Sequence, residues 1–348
     1  MSADQPPPAK DDAAAFRAAF RASKNIIVIA GAGLSAASGI PTFRDGGGMW
    51  RSLNAQALAT PVAFEANPAL VWQFYHYRRT TALSAKPNLA HKILAKMSIP
   101  TELKKVAPQA KSFHLVTQNV DRLSVQALEE LTNSSAARAA RAEPIPRRAP
   151  PPVFPRSILE MHGRLFDVRC ADPSCGHVEE DRSSPLTLAL GEAEAGFACL
   201  NDIGRQTTDA GRQTTDAGRQ TTDADAGRQI TDAGRQITEI PPSNLPRCKK
   251  CGALARPGVV WFGEMPYFLD EINSLVFKAD MCLVVGTSAT VRPASTYAYR
   301  VHRHGGTVAI FNREPSEADE RADFIFRGGC EEVFPELFKE LADEKAVE

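Results

Sequence analysis

No stretch of this 348-residue sequence supplies the roughly 18 consecutive apolar residues that a membrane span requires. Net charge is missing as well, since 41 lysines and arginines balance 41 aspartates and glutamates. A neutral chain has no long-range field to gather nucleic acid or an anionic bilayer, so neither is expected as a partner. The first residues, MSADQPPPAKDDAAAFRAAFRASKN, lack a secretory apolar core, which argues against secretion. Ala13–Ser23 can form an Arg-bearing amphipathic helix, yet Asp4, Asp11 and Asp12 argue against a clean mitochondrial transit peptide. Seven cysteines is an odd count, and four of them pair at close spacing. That pattern suits a reducing compartment and a metal better than disulfides.

A hydrophobic content of 43% is ordinary for a chain that buries a core, and the length allows two domains or one large domain with a smaller one. The most informative segment is Gly31–Trp50, GAGLSAASGIPTFRDGGGMW, directly after the apolar run Asn25–Ala30. The run reads as a buried parallel strand. Gly31-x-Gly33-x-x-Ala36 is a variant of the dinucleotide fingerprint, whose glycines let backbone approach a pyrophosphate while the next helix offers its N-terminal dipole end. Taken alone, the pattern also fits a glycine-rich turn with no ligand. The glycines that follow suggest a mobile cover over a nucleotide.

Further runs at 113–119 (FHLVTQN), 281–287 (MCLVVGT) and 307–312 (TVAIFN) end in turn or polar residues and alternate with helix-like segments. They predict an α/β fold with a Rossmann-like, doubly wound parallel sheet, its ligand loops at the carboxyl ends of the strands. The expected division is a discontinuous nucleotide-binding domain (13–49, 113–163 and 257–341) and a smaller domain. The latter would combine a helical module (50–112) with a cysteine-bearing module (164–256). Two inserts stand out. Residues 136–155 are Ala/Arg-rich and then Pro-rich, an exposed loop. Residues 204–238 repeat GRQ from Gly204, Gly211, Gly218, Gly227 and Gly234 with nothing apolar at a and d positions, so disorder is expected there.

Cys170-x4-Cys175 and Cys248-x2-Cys251 have the look of two zinc knuckles, with Pro173, Gly176, Lys249, Lys250 and Gly252 making both turn-like and polar. Of the 72 residues between Cys175 and Cys248, the repeat region accounts for 35 and leaves 37. Four thiolates close a tetrahedron, so the expected Zn2+ is structural. Cys282, inside an apolar run, and Cys199, beside the repeat, are expected to be inert.

Three more pieces, TQNVDRL (117–123), LEMHGRLFDVRC (159–170) and VVWFGE (259–264), follow GAGLSAASGIPTFR in order. From about Lys24 to Leu341 the chain resembles the sirtuins, NAD-dependent protein lysine deacylases. The resemblance implies NAD+ as co-substrate, held first by Gly31, Ala32, Gly33, Ser35, Ala36, Thr42, Phe43, Arg44 and Trp50. Gln118, Asn119 and Asp121 would contribute from the second loop. Gly286, Thr287 and Ser288, then Asn312, Arg313 and Glu314, and finally Cys330 would complete the set. It also implies that the acyl-lysine amide oxygen attacks the ribose carbon freed of nicotinamide, with Asn119 and Asp121 holding the ribose. His162, with an ordinary imidazole pKa of about 6.5, would be the base, and the acyl group would leave as O-acyl-ADP-ribose. The other histidines (His76, His91, His114, His177, His302 and His304) are read as structural or surface residues. VVWFGE (Val260, Trp261, Phe262, Gly263 and Glu264) would pair with the substrate backbone as an added strand.

Within VWQFYHYRR (71–79), Leu70, Phe74 and Tyr77 form a core-facing helical stripe, and Tyr75 and Arg78 lie three apart on a neighbouring face. By spacing alone this is an ordinary amphipathic helix with a solvated arginine. It also resembles the Tyr-x-x-Arg signature of class III sirtuins, which implies that both side chains receive the carboxylate of a succinyl, malonyl or glutaryl group. Ala59 would be the small wall of that pocket. The alternatives are a sirtuin acting mainly as a deacetylase or mono-ADP-ribosyltransferase, and an idle NAD-binding scaffold. The expected partners are acylated-lysine proteins or peptides, and the expected state is a monomer. The resemblance favours the mitochondrial matrix, with cytosol or nucleus left open.

Overall fold

In the computed structural model, which describes residues 10–42, 49–50, 53–133, 157–196 and 238–342, the run Asn25–Ala30 forms strand β1. Its apolar residues alternate between two cores. Ile26, Val28 and Ala30 enter one, while Ile27 and Ile29 enter the other. A strand covered on both faces needs an unbroken apolar run, and this one has it. Ten strands follow among the described residues. They are β2 (Met49–Trp50), β3 (Leu53–Asn54), β4 (Ser112–Thr117), β5 (Ile158–Glu160) and β6 (Gly163–Cys170), then β7 (Val178–Glu180), β8 (Ala255–Val259), β9 (Met281–Val285), β10 (Thr307–Phe311) and β11 (Phe324–Phe326).

The chain divides into two compact units, Met1–Thr42 with Ala85–Gly163 and Met265–Glu348, and Phe43–Ser84 with Arg164–Glu264. The first unit holds a six-stranded sheet in the order β11-β10-β9-β1-β4-β5, every neighbouring pair parallel. Counted along the chain, this is the 3-2-1-4-5-6 order of the Rossmann fold, reversing direction between β1 and β9. The two-sided alternation of β1 recurs in β9, where Met281, Leu283 and Val285 enter one core and Cys282 and Val284 the other. β5 and β11, three residues each, are too short to show a period and add one strand to either edge of the four that the sequence predicts.

Residues 85–112 belong to this first unit rather than to a separate helical module. The helices Leu89–Met97 and Pro100–Val106 bury Ala90, Ile93, Leu94, Met97, Leu103 and Val106 in the core beneath β1 and β4. The amphipathic segment near the N-terminus is the helix Ala13–Ala22, capped by the Asp12 carboxylate on the Ala14 and Ala15 amides at 2.9 Å. Its Phe16 and Phe20 are buried in the same core, Phe16 lying 5.6 Å edge-on from Phe311.

The second unit holds a three-stranded sheet, β7-β6-β8, the short β2–β3 hairpin and the 17-residue helix Pro68–Ser84. Residues 257–264, expected in the nucleotide domain, continue from β8 into this unit. The long helix corrects the expected stripe, because Tyr77 is 39% exposed and Leu70 half-buried, whereas Val71, Trp72, Phe74, Tyr75 and Arg79 are buried. The three-stranded sheet holds two of these residues, which lie two turns apart on one helix face. Trp72 Nε1 donates to the Ala255 carbonyl of β8 at 2.8 Å, and Arg79 donates to the carbonyls of Leu165 and Ser183 at 2.6 and 3.0 Å. Phe43 and Arg44, the Pro-rich loop and all of the repeat except Thr238 lie outside the described residues.

Candidate active site and cysteine cluster

In the first unit the loops after β1 and β9 cross where the strand order reverses, the point at which a doubly wound sheet opens its ligand crevice. The Gly31 amide donates to Val285 O at 2.9 Å and the Gly33 amide to Gly286 O at 2.7 Å. A Cβ on Gly31 would sit 2.6 Å from Thr287 Cβ, and one on Gly33 only 2.8 Å from Gly286 Cα. The fingerprint glycines are therefore required by loop-on-loop packing, beyond any ligand. The helix that follows, Ala32–Ser38, is a seven-residue 3-10 helix rather than an α-helix, ended by Gly39 at φ 84°. Ala32 and Ala36 lie on this helix, and Thr42 ends the first of the three segments that make up the first unit.

A polar network fills the base of the crevice. Ser35 Oγ donates to Asp121 Oδ2 at 2.7 Å, and Asn119 Nδ2 donates to Ser35 Oγ at 3.1 Å and to Gly31 O at 3.0 Å. Buried His91, read from sequence as structural, joins the same hydroxyl. The Asn88 amide donates to His91 Nδ1 at 3.3 Å, which leaves the proton on Nε2, 3.3 Å from Ser35 Oγ. Asn88-x-x-His91 is a helix capping box, a pattern legible in sequence, but its reach to Ser35 is not. Burial brings the His91 imidazole down to about 3, so it is neutral. Asp121 Oδ1 accepts from the Leu123 amide at 2.9 Å, helped by Arg122 at φ 68°, a backbone setting uncommon for a residue other than glycine.

Gln118 ties the loops together. Its side-chain oxygen accepts from Thr287 Oγ1 at 2.9 Å and its backbone carbonyl accepts from His162 Nδ1 at 3.1 Å. His162 sits in the turn between β5 and β6, and this bond places the proton on Nδ1 and the lone pair on Nε2. Burial moves the imidazole below its ordinary value, against the pull of the Gln118 carbonyl, so it is neutral and able to accept a proton at neutrality. Asn312 Nδ2 donates to Thr287 O at 3.1 Å, which brings the loop after β10 to the crevice. Ser288 and Glu314 belong to these same loops, and exposed Arg313 pairs with Glu331 at 3.3 Å. Cys330 opens the helix Cys330–Leu337 and is buried, its thiol pushed up to about 12 chiefly by that burial. Hydroxyl, amide and carboxylate groups thus gather at the carboxyl ends of β1, β4, β9 and β10, where a doubly wound sheet opens its ligand crevice.

In the second unit Tyr75 is fully buried, and its hydroxyl accepts from Trp261 Nε1 at 3.0 Å. Half-buried Arg78 places its guanidinium carbon 5.8 Å from the Tyr75 ring and 5.6 Å from that of Phe74. Ala59 is buried and its carbonyl accepts from the Phe262 amide at 2.9 Å. Residues 260–264 follow β8 as a turn rather than a strand, with Gly263 at φ 91° and the Glu264 amide donating to Trp261 O. Trp50 is buried edge-on to Phe74 at 5.6 Å.

The four paired cysteines converge within the same unit. All four sulfurs lie within 4.8 Å of one another, with Cys170–Cys251 at 3.5 Å and Cys175–Cys248 at 3.8 Å. Tetrahedral Zn–S bonds of about 2.3 Å require S–S edges of about 3.8 Å, so the cluster fits a zinc ion and leaves no open position. Each pair ends on a left-handed glycine, Gly176 at φ 63° and Gly252 at φ 74°, which lets the chain fold back sharply.

Comparison with known proteins agrees with this geometry. The profile of the Sir2 family matches residues 31–133 and 212–293. The mitochondrial NAD-dependent protein deacylase sirtuin-5 of Canis lupus familiaris is 38% identical over 325 residues, 92% of this chain and 83% of the relative. An NAD-dependent protein deacylase of Candida albicans is 36% identical over 91% of this chain and 94% of its own length. A solved Sir2 homolog–NAD complex superposes with a TM-score of 0.64 at 29% identity, covering 97% of this chain and 96% of that one. With the reversed sheet, the Gly31 crossing and the four-cysteine cluster all in place, this chain belongs to the Sir2 family, the sirtuins.

Proposed function

We propose that this protein removes acyl groups ending in a carboxylate (succinyl, malonyl or glutaryl) from protein lysines. NAD-dependent protein-lysine deacylation is the activity of the family and of the relatives that match most of the chain. The acyl preference is this reading's own addition, and one observation carries it. Tyr75 is buried while Arg78, three residues on, keeps its guanidinium carbon 5.8 Å from the centre of the Tyr75 ring, so a phenol and a permanent cation are neighbours. A guanidinium fork matches a carboxylate, and a hydrogen bond to a charged group is worth about 1.5–3 kcal/mol, or roughly 10- to 150-fold in preference. Ala59 leaves room for the longer chain.

Catalysis is assigned to the first unit. Gly31, Gly33, Gln118, Thr287, Ser288, Asn312 and Glu314 would hold NAD, whose scissile nicotinamide–ribose bond supplies the electrophile and whose remainder departs as O-acyl-ADP-ribose. Asn119 and Asp121, fixed by Ser35, would orient the ribose. His162 would take a proton on Nε2, the nitrogen left basic by the Gln118 bond. The main chain of Val260–Glu264 would receive the peptide. The names of the sirtuin-5 relatives support a mitochondrial site of action on acylated proteins.

Mass spectrometry of succinyl-, glutaryl- and acetyl-lysine peptides, incubated with the protein with and without NAD, tests the reading. Acidic acyl groups should be lost at least about 10-fold faster than acetyl, and only with NAD. Equal or faster loss of acetyl would sink it.

A further inference from the structure

The bond between Tyr75 and Trp261 runs in one direction only. An indole N–H donates and cannot accept, so the Tyr75 oxygen, 3.0 Å away, is the acceptor. A phenol proton lies in the ring plane on one of two sides of the C–O bond. With Trp261 occupying one side, the Tyr75 proton is turned to the other. Among the described residues the Tyr75 hydroxyl has no acceptor of its own, although the residue is fully buried. Buried hydroxyl protons in folded proteins have acceptors, so this one is left for a group beyond the described residues.

Trp261 is itself firmly held. Its amide donates to Glu264 Oε2 at 2.8 Å, and Arg256 grips the same carboxylate through two bonds of 2.6 and 2.8 Å. The Arg256 guanidinium lies 3.5 Å over the Trp261 ring, and Phe64 packs 5.3 Å from it. The pairing also neutralises Glu264, whose charge would otherwise oppose an anion nearby. Burial alone would raise that carboxyl, but the Arg256 fork holds it below the ordinary carboxylate range.

We infer that Trp261 is a positioning residue for acyl recognition, its indole N–H fixing the Tyr75 hydroxyl as a donor to the substrate's carboxylate alongside Arg78. Tyr75 and Arg78 then present donors only, which suits a carboxylate and leaves a neutral acyl chain without a partner. This rests on the acidic-acyl reading above and assigns it a residue that spacing did not suggest for that role.

The test is the ratio of kcat/KM for succinyl- over acetyl-lysine peptides in the full chain. Any effect on backbone binding by residues 260–264 falls on both peptides and cancels in the ratio. Trp261→Phe, which keeps an aromatic ring and removes the donor, should lower the ratio roughly 10-fold through KM for the succinyl peptide. Tyr75→Phe, which keeps its ring contacts, should do the same, and adding Trp261→Phe to it should cost nothing more. An unchanged ratio in Trp261→Phe, or a further loss in the double variant, overturns the role of Trp261. Arg78→Met separates the two ideas. If that variant keeps the wild-type ratio, the acidic-acyl reading fails and takes this inference with it.

Discussion

Ser35 Oγ donates to Asp121 Oδ2 across 2.7 Å, joining the loop after β1 to the loop after β4 through one hydroxyl that also meets Asn119 and His91. That single oxygen accepts from two donors and donates to a third group. It therefore sets the relative position of every polar side chain at the base of the crevice.

Ser35→Ala should leave the Asp121 carboxylate and the His91 Nε2–H without their shared partner. An unmet buried polar group costs about 1–3 kcal/mol, so the urea midpoint should fall accordingly and the KM for NAD should rise. An unchanged midpoint and an unchanged KM would show that water replaces the hydroxyl at no cost.

His162→Tyr should fold and retain its metal yet release no O-acyl-ADP-ribose. In the wild-type protein the neutral imidazole is the active form, and burial lowers its pKa. Activity should therefore persist as pH falls past about 6.5 and be lost only below it. An acid limb centred above that value would remove His162 from the role of base.

His91 makes a separate prediction about stability. Its folded pKa, brought down to about 3 by burial, lies below the unfolded value of about 6.5. As pH falls, the unfolded chain takes the proton first. The stability His91 contributes is thus whole above about 6.5 and is lost toward 3, at up to about 1.4 kcal/mol per pH unit. Urea midpoints from pH 7 to 4.5 should fall more steeply in the wild type than in His91→Gln. Parallel slopes would show that the buried imidazole is not what titrates.

Removing the metal should unfold the cysteine knuckles rather than stop the chemistry directly. Purified protein should carry about one zinc per chain, and Cys248→Ser or strong chelation should open residues 170–180 and 245–255 to proteolysis. Protection that survives complete loss of zinc would mean that hydrogen bonds alone hold the turns.

Much of this was legible in the sequence because the signals are local. An apolar run bounded by Asn25 and Gly31 is a buried strand, and cysteine pairs with two and four residues between them, on glycine turns, fit a metal site. The Gly-x-Gly turn and the TQNVDRL segment likewise fall at strand ends, where doubly wound sheets carry their loops. What could not be read depends on distance. β5 and β11 are too short to show a period, and residues 85–112 pattern as helices without revealing which core they cover. The exposed Tyr77 and the buried Arg79 reverse the simple stripe because the helix Pro68–Ser84 has protein on more than one side.

The sequence by itself determined the four central strands β1, β4, β9 and β10, the cysteine pairs and the chemical identity of the candidate base, because each needs only a few neighbouring residues. Tertiary structure decided which nitrogen of His162 is basic, why Gly31 and Gly33 tolerate no side chain, and which way the Tyr75 proton points. Each of these turns on a partner far along the chain, Gln118, Gly286 and Trp261 respectively, and a hydrogen bond or a steric contact exists only once the fold has brought such partners within about 3 Å.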